Sequence, residues 1–122
     1  MTAFPALAVQ AFEAKHEVDV ETSSARGDVH RVTIWIVVVD EVPYVRSVRG
    51  PRGRWFRELL ARAGAIHVGR RRIPVRASKV TDDALNERVS GALRAKYRTP
   101  KASVVAMTRP EVLATTARLD PP

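Results

Sequence analysis

Residues 44–60 are the stretch of this sequence whose residue types are best suited to chemistry. Within a few positions they provide a hydroxyl, a glycine backbone and planar guanidinium groups: Ser47, Arg49, Gly50 and Arg52. Arginine binds phosphate or carboxylate oxygens through paired hydrogen bonds, and free backbone N–H groups favour the same anions. The pattern predicts an anion site, with a basic loop that only caps the following helix as the alternative.

A strand, a turn and a short helix must position these residues. Alternating side chains predict a strand over residues 44–49, which the glycines and proline of residues 50–53 break. Apolar residues at helical spacing then predict a helix over residues 55–63, closed by Gly64. Trp55 opens that helix, where its indole either lines a ring-binding cleft or packs in the core.

The rest of the chain reads mainly as strands. Apolar runs predict them at residues 18–21, 29–39, 65–68, 72–75 and 112–119. Residues 29–39 are apolar on both faces, which predicts a central strand, and Asp40 and Glu41 predict a hairpin turn after it. Residues 65–68 and 72–75 predict a second hairpin.

Two further helices are predicted. The first occupies residues 2–15, with Thr2 as its cap. The second begins at Thr81, Asp82 and Asp83 and ends near residue 99, with an apolar line four residues apart. Residues 101–107 are compatible with either a helical turn or a loop.

Composition excludes several functions. The 122 residues suffice for one domain with its own core, and the absence of cysteine rules out disulfides, thiolate metal sites and a cysteine nucleophile. The longest apolar run has the length of a strand, and no signal peptide is recognisable, so we expect a cytoplasmic protein without a membrane span. The three histidines are isolated in sequence, which argues against a metal site, and no hydrolase or kinase motif occurs.

The net charge of +8 is concentrated in one segment. Arginines number seventeen against four lysines, and ten of the arginines fall within residues 46–76, where Glu58 is the only acid. Such an excess suits a polyanion such as nucleic acid. The alternative is an arginine-rich composition whose charges are simply solvated.

A family resemblance rests on these segments. Residues 45–50, followed by residues 55–61, resemble the part of the deazaflavin-dependent nitroreductases where a strand ends in a Ser- and Gly-rich turn and a Trp opens the helix. Residues 22–31 are similar to that family's hydroxyl, glycine and basic turn, and residues 119–121 resemble its last strand. The sequence resembles still more a bacterial family of uncharacterised small proteins related to the flavin-binding split barrel.

The resemblance implies a mainly β fold of the α+β type. This is a six-stranded split β-barrel, a single domain over residues 1–122, with helices at the N-terminus, after strand 3 and after strand 5. It also implies a homodimer that binds FMN or a deazaflavin coenzyme at the subunit interface. The cofactor contacts it implies are Arg26, Arg31, Ser47, Val48, Arg49, Gly50 and Trp55. This chain departs from the family in having Asp28, whose charge would repel a phosphate, close after Arg26.

Three functional hypotheses follow. The leading one is a flavin- or deazaflavin-binding protein that could act as a reductase through its cofactor, with no catalytic acid or base identified. The second is a non-enzymatic basic module that binds nucleic acid or another polyanion. It is disfavoured because only Trp55 and Phe56 interleave the arginines, and both fit a buried helix face. The third is a vestigial barrel retained as an interaction module.

Overall fold

Helices and strands are interleaved along the whole of the chain that the computed structural model describes, residues 3–122. The predicted cap Thr2 lies outside these residues. The helices are α1 (Ala6–Ala14), α2 (Arg54–Ala61), α3 (Asp83–Lys96), α4 (Lys101–Thr108) and α5 (Pro110–Leu113). The strands are β1 (Val18–Ser23), β2 (Val29–Ile34), β3 (Val37–Val39), β4 (Val42–Val45), β5 (Gly64–Val68), β6 (Arg71–Lys79) and β7 (Ala117–Asp120).

The strands form one antiparallel sheet in the order β2-β1-β5-β6-β7-β4-β3. Strand β6 belongs to both halves of this sheet, because its first part pairs with β5 and its last part pairs with β7. The sheet is therefore a half-barrel whose two edges are β2 and β3. None of the helices in the described part of the chain has the length and apolar character needed to cross a membrane.

Two apolar clusters stabilise the half-barrel. The larger one packs α1 and α2 on the sheet through residues such as Phe12, Phe56 and Ile66, each at most 2% exposed. The smaller one packs α3 against β3 and β4, with Val89 and Tyr97 at its centre. Helices α2 and α3 thereby cover different halves of the sheet.

The local sequence signals are confirmed where hairpins and amphipathic helices were predicted. The β3–β4 hairpin turns through Asp40 and Glu41, whose φ angles of 51° and 66° match the turn type that joins twisted strands. The β5–β6 hairpin and helices α1, α2 and α3 also form near the predicted positions. The cap of α3 is Asp82, whose carboxylate accepts the Ala84 N–H at 2.9 Å, rather than Thr81.

The prediction of one central strand over residues 29–39 is wrong. The chain leaves the sheet at Trp35 and Ile36, and the two resulting strands, β2 and β3, lie at opposite edges. Ile36 finds its hydrogen bonds outside the sheet: its N–H donates to the Tyr97 hydroxyl at 3.0 Å, and its carbonyl accepts from Lys96 Nζ at 2.8 Å. This break gives the sheet seven strands instead of the predicted six, and the helices predicted after strands 3 and 5 follow β4 and β6.

The end of the chain also differs from the prediction of a strand over residues 112–119. Pro110 begins the short helix α5, which contains Val112, and only β7 is extended. The hydroxyls of Thr115 and Thr116 donate to the carbonyls of Val112 and Leu113 at 2.7 and 2.9 Å and so close the helix end. Residues 101–107 fall within helix α4.

Candidate functional site

The chain bends sharply where β4 ends, at residues 46–50, which we call the corner. The predicted strand over residues 44–49 is thus shorter than expected, because β4 stops at Val45. The Gly50 N–H donates to the Ser47 carbonyl at 2.9 Å, and Gly50 adopts a φ of 78°, which favours glycine. A single 3₁₀ turn (Gly50–Arg52) then delivers the chain to α2.

The segment between α4 and β7 fixes the corner from behind. The Ser47 N–H donates to Thr115 Oγ1 at 2.9 Å, and Arg109 Nη2 donates to the Val48 carbonyl at 3.0 Å. These partners lie more than sixty positions away in sequence. The backbone of the corner is therefore held by tertiary contacts rather than by the sheet.

Arg46 is the first residue of the corner, and its guanidinium is buried. It donates to Thr116 Oγ1 and Ser90 Oγ, each at 2.8 Å, and to the carbonyls of Asn86 and Met107 at 2.9 and 3.1 Å. All four acceptors are neutral, so the positive charge is solvated by dipoles. Burial lowers the pKa of Arg46 to about 10, which leaves it charged at neutral pH.

A cavity of about 740 Å³ lies in front of the corner. Its walls come from four parts of the chain: residues 32–35 at the end of β2, residues 46–49 of the corner, residues 53–55 at the start of α2, and Ala102, Ser103, Ala106 and Met107 of α4. The volume falls within the usual range for cofactor sites. The sequence of residues 101–107 was compatible with either a helical turn or a loop. These residues form helix α4, which supplies one whole wall of the cavity.

The charged residues in the cavity lining are all arginines. Arg46, Arg49 and Arg54 line it, and no Asp or Glu among residues 3–122 does. Ser47 also lines it, and its buried Oγ has no hydrogen-bond partner among the described residues. This Oγ packs against Gly53, where a Cβ would overlap it. The cavity therefore has a positive potential and an unused hydroxyl at the corner.

Another part of the lining is aromatic. Trp35 stacks on Tyr97 with ring centroids 4.0 Å apart and planes 4° apart. The Tyr97 hydroxyl lies 2.6 Å from the His16 carbonyl, to which it donates, and it accepts the Ile36 N–H. Burial raises the pKa of Tyr97 to about 12, so the phenol stays protonated. Trp35 is thus held in a fixed orientation at the cavity wall.

The cavity brings together four of the seven residues that were predicted to contact a cofactor. These are Ser47, Val48, Arg49 and Trp55. Trp55 lines the cavity and also packs in the core, where it is 9% exposed.

The other three predicted residues lie outside the cavity lining. Arg26 is exposed in the β1–β2 turn, and Arg31 pairs with Asp19 across those strands at 3.0 Å. Gly50 is buried and is the first residue of the 3₁₀ turn. Asp28, the residue expected to repel a phosphate, lies in the β1–β2 turn, where its N–H donates to Ser24 Oγ. It does not line the cavity.

The arginines of residues 46–76 do not form one uniform surface. Arg46 is buried, Arg62 donates twice to the Ser23 carbonyl at 3.0 and 2.8 Å, and Arg72 pairs with Glu21 at 2.9 Å. Several of these charges therefore have structural partners within the chain.

The histidines also have structural partners. His30 Nδ1 lies 2.9 Å from Glu58, and His67 Nε2 lies 2.7 Å from Glu21. Burial by itself raises the pKa of Glu58, but the hydrogen bonds from Thr22 and His30 and the nearby charge of Arg54 together lower it. In the part of the chain that the structure describes, no three potential ligand residues are grouped for a metal.

Sequence reasoning missed Arg46, Arg54 and Trp35 as lining residues. Alternation placed Arg46 on a strand face with Tyr44, although an arginine within an apolar run was a signal of a special environment. Trp35 was assigned to a central strand, so its place at a break in the sheet was not foreseen. Arg54 was seen only as part of the basic segment.

Solved structures share this fold at low sequence identity. One is the conserved hypothetical protein Rv2991 from Mycobacterium tuberculosis, with 13% identity, a TM-score of 0.65, and coverage of 98% of this chain and 79% of that one. HutZ, the heme storage protein from Vibrio cholerae, has 14% identity, a TM-score of 0.62, and coverage of 99% and 92%. An FAD-binding protein from Mesorhizobium loti has 15% identity, a TM-score of 0.57, and coverage of 95% and 87%.

These likenesses define the chain as a split-barrel protein with a fold similar to that of flavin-binding proteins. The chain belongs to a family described as uncharacterized protein conserved in bacteria (DUF2255), whose model matches residues 8–119. A comparison with curated protein sequences gives no match.

Proposed function

We propose that this protein binds a flavin or deazaflavin cofactor in the cavity between the corner, α2 and α4. The observation that carries the proposal is the composition of the lining, which combines two tryptophans and three arginines with no acidic residue among residues 3–122. Aromatic side chains suit a planar ring, and arginines suit an anionic tail, so this lining matches a ligand that has both parts. FMN and the deazaflavin coenzyme are ligands of this type.

The corner fits the anionic part of such a cofactor. Arg49 is exposed at the cavity wall, and Arg46 contributes a buried positive charge behind it. The unpaired Ser47 hydroxyl would gain a hydrogen bond if it rotated toward a ligand oxygen. Val48 and Trp55 would border the rest of the molecule.

The relatives support a cofactor of this class without fixing which one. A protein of this fold from Mesorhizobium loti is described as FAD-binding. A bound flavin or deazaflavin would supply hydride chemistry, while this chain would bind and orient it. Reductase activity would then require a second molecule that accepts the hydride.

The proposal includes a homodimer that closes the cavity. Val48 at the cavity and Val105 on α4 are 45% and 67% exposed, and a second copy would remove both from water. We expect light scattering to give twice the chain mass of 13.5 kDa. Val105→Glu should shift the protein toward the monomer, whereas a wild-type mass of one chain at micromolar concentration would contradict the dimer.

The cofactor proposal predicts that Arg49→Gln weakens binding of the phosphate-bearing ligand. Loss of one charge-assisted hydrogen bond should lower FMN affinity by about tenfold or more. Titrations that follow flavin absorbance and thermal stability measure the effect, with FMN, FAD and the deazaflavin coenzyme tested in parallel. Riboflavin lacks the phosphate, so its affinity should be the same for both proteins.

Arg70→Gln is the matched control, because Arg70 is exposed in the β5–β6 turn and does not line the cavity. It should bind FMN as the wild type does. The proposal fails if none of the three cofactors changes the absorbance or the thermal stability of the wild-type protein. Such a protein would instead fit the hypothesis of a barrel retained for interactions.

A further inference from the structure

The orientation of Trp35 is fixed by contacts outside the sheet. It lies at the break between β2 and β3, where no strand partner holds it, and its indole stacks on Tyr97 at 4.0 Å. Tyr97 is fully buried with the His16 ring edge-on at 4.6 Å, and hydrogen bonds to His16 and Ile36 anchor its hydroxyl. The stacked pair is therefore a rigid unit.

Only one face of the Trp35 indole is covered by this stack. Trp35 nevertheless lines the cavity and is partly exposed, so the surface that it presents there is not the face that Tyr97 covers. Trp55 differs in this respect, because it is 9% exposed and packs in the main apolar cluster. Of the two tryptophans, Trp35 has more surface to offer a ligand.

The remaining lining suits a planar ring as well. Val32 and Ile34 flank Trp35 on the β2 side, and Ala102 and Ala106 present small side chains on α4. Small side chains in the lining leave more room for a flat ring than large ones would.

We propose that Trp35 is the stacking platform for the cofactor ring, which lies on the indole face not covered by Tyr97. The inference rests on the proposed function, since it assigns the ring end of the same ligand. It adds a residue that the family resemblance did not supply, and it gives Trp55 a supporting role in the wall. The Trp35 indole would bind the ring, and the arginines of the corner would bind the anionic tail. Together they would select a flat molecule with an anionic tail.

The test uses the only two tryptophans in the chain. A stacked indole quenches flavin emission by electron transfer at contact, and phenylalanine does not. We therefore expect FMN bound to the wild type to be weakly fluorescent and FMN bound to Trp35→Phe to be bright, with nearly unchanged affinity. Trp35→Leu should be bright and bind FMN about tenfold more weakly, because the aromatic stack is lost.

Trp55→Phe is the comparison variant, and the FMN that it binds should remain quenched. The inference is overturned if Trp55→Phe, rather than Trp35→Phe, restores the emission, or if Trp35→Leu binds FMN as tightly as the wild type. If the wild type binds neither FMN nor the deazaflavin coenzyme, the proposed function itself has failed, and this inference fails with it. Because Trp35→Phe keeps an aromatic ring on Tyr97, it keeps the test valid even if Trp35→Leu does not fold.

Discussion

Arg46→Met should lower the free energy of unfolding by about 3 kcal/mol, because the guanidinium joins several elements around one buried point. Its hydrogen bonds reach α3 through Ser90 and Asn86, α4 through Met107, and the approach to β7 through Thr116. Methionine fills a similar volume but removes the donor that these acceptors share. Urea unfolding followed by circular dichroism measures the difference.

The controls separate the hydrogen bonds from the charge. Arg70→Met removes an exposed arginine and should change stability by less than about 0.5 kcal/mol. Arg46→Lys keeps the charge but cannot reproduce the planar fork, so its stability should lie between those of Arg46→Met and the wild type. Arg46→Met at wild-type stability or above would mean that the desolvation of the guanidinium costs as much as its hydrogen bonds provide.

The burial of Arg46 also bears on the ligand. Because its acceptors are neutral, no hydrogen-bonded acid cancels its charge, and the cavity in front of it carries a positive potential. The pKa of about 10 means that this potential persists throughout the physiological pH range. An anion bound in the cavity would offset the charge and raise the stability of the protein.

The sequence predicted the elements whose signals are local. The β3–β4 hairpin depends on Asp40 and Glu41 and on two short apolar runs beside them. Helix α2 depends on Trp55, Phe56 and Leu59 at helical spacing. In each case the information lies within about ten residues, so periodicity and turn chemistry suffice.

What the sequence could not predict depends on distant partners. The break at Trp35 and Ile36 requires Tyr97, 61 positions from Ile36, to satisfy a backbone group that a strand would otherwise have used. Isolated from Tyr97, the run from residue 29 to residue 39 has every feature of one long strand. Propensity was overridden here by a tertiary hydrogen bond and an aromatic stack.

The residues of the candidate site likewise fall into a group that the sequence predicted and a group that it did not. Ser47, Val48, Arg49 and Trp55 were found because they are close in sequence and chemically distinctive. The α4 wall was not found, because its residues are alanines, a serine and a methionine whose relevance comes only from where the helix lies. Arg26 and Arg31 were included by resemblance, and the β1–β2 hairpin places them away from the cavity lining.

Gly64 controls how closely α2 approaches the sheet. It begins β5 beside β1, and a Cβ added there would overlap the Glu21 carbonyl oxygen and lie 2.8 Å from Leu59 Cδ1. The first of these neighbours is backbone within a paired strand, so it cannot move aside cheaply. Because α2 carries Arg54 and Trp55 into the cavity, a shift of this helix would also reach the candidate site.

Gly64→Ala should therefore lower the free energy of unfolding by about 3 kcal/mol and weaken cofactor binding, although it adds only one methyl group. Gly91→Ala is the matched control: Gly91 is exposed in α3, a Cβ there meets nothing within 4 Å, and alanine should raise stability by up to about 1 kcal/mol. Urea denaturation of both variants measures the two changes in the free energy of unfolding, which should have opposite signs. Equal stability of the two variants would mean that α2 can move off β1 at little cost, and the cavity wall that α2 forms would then be adjustable rather than fixed.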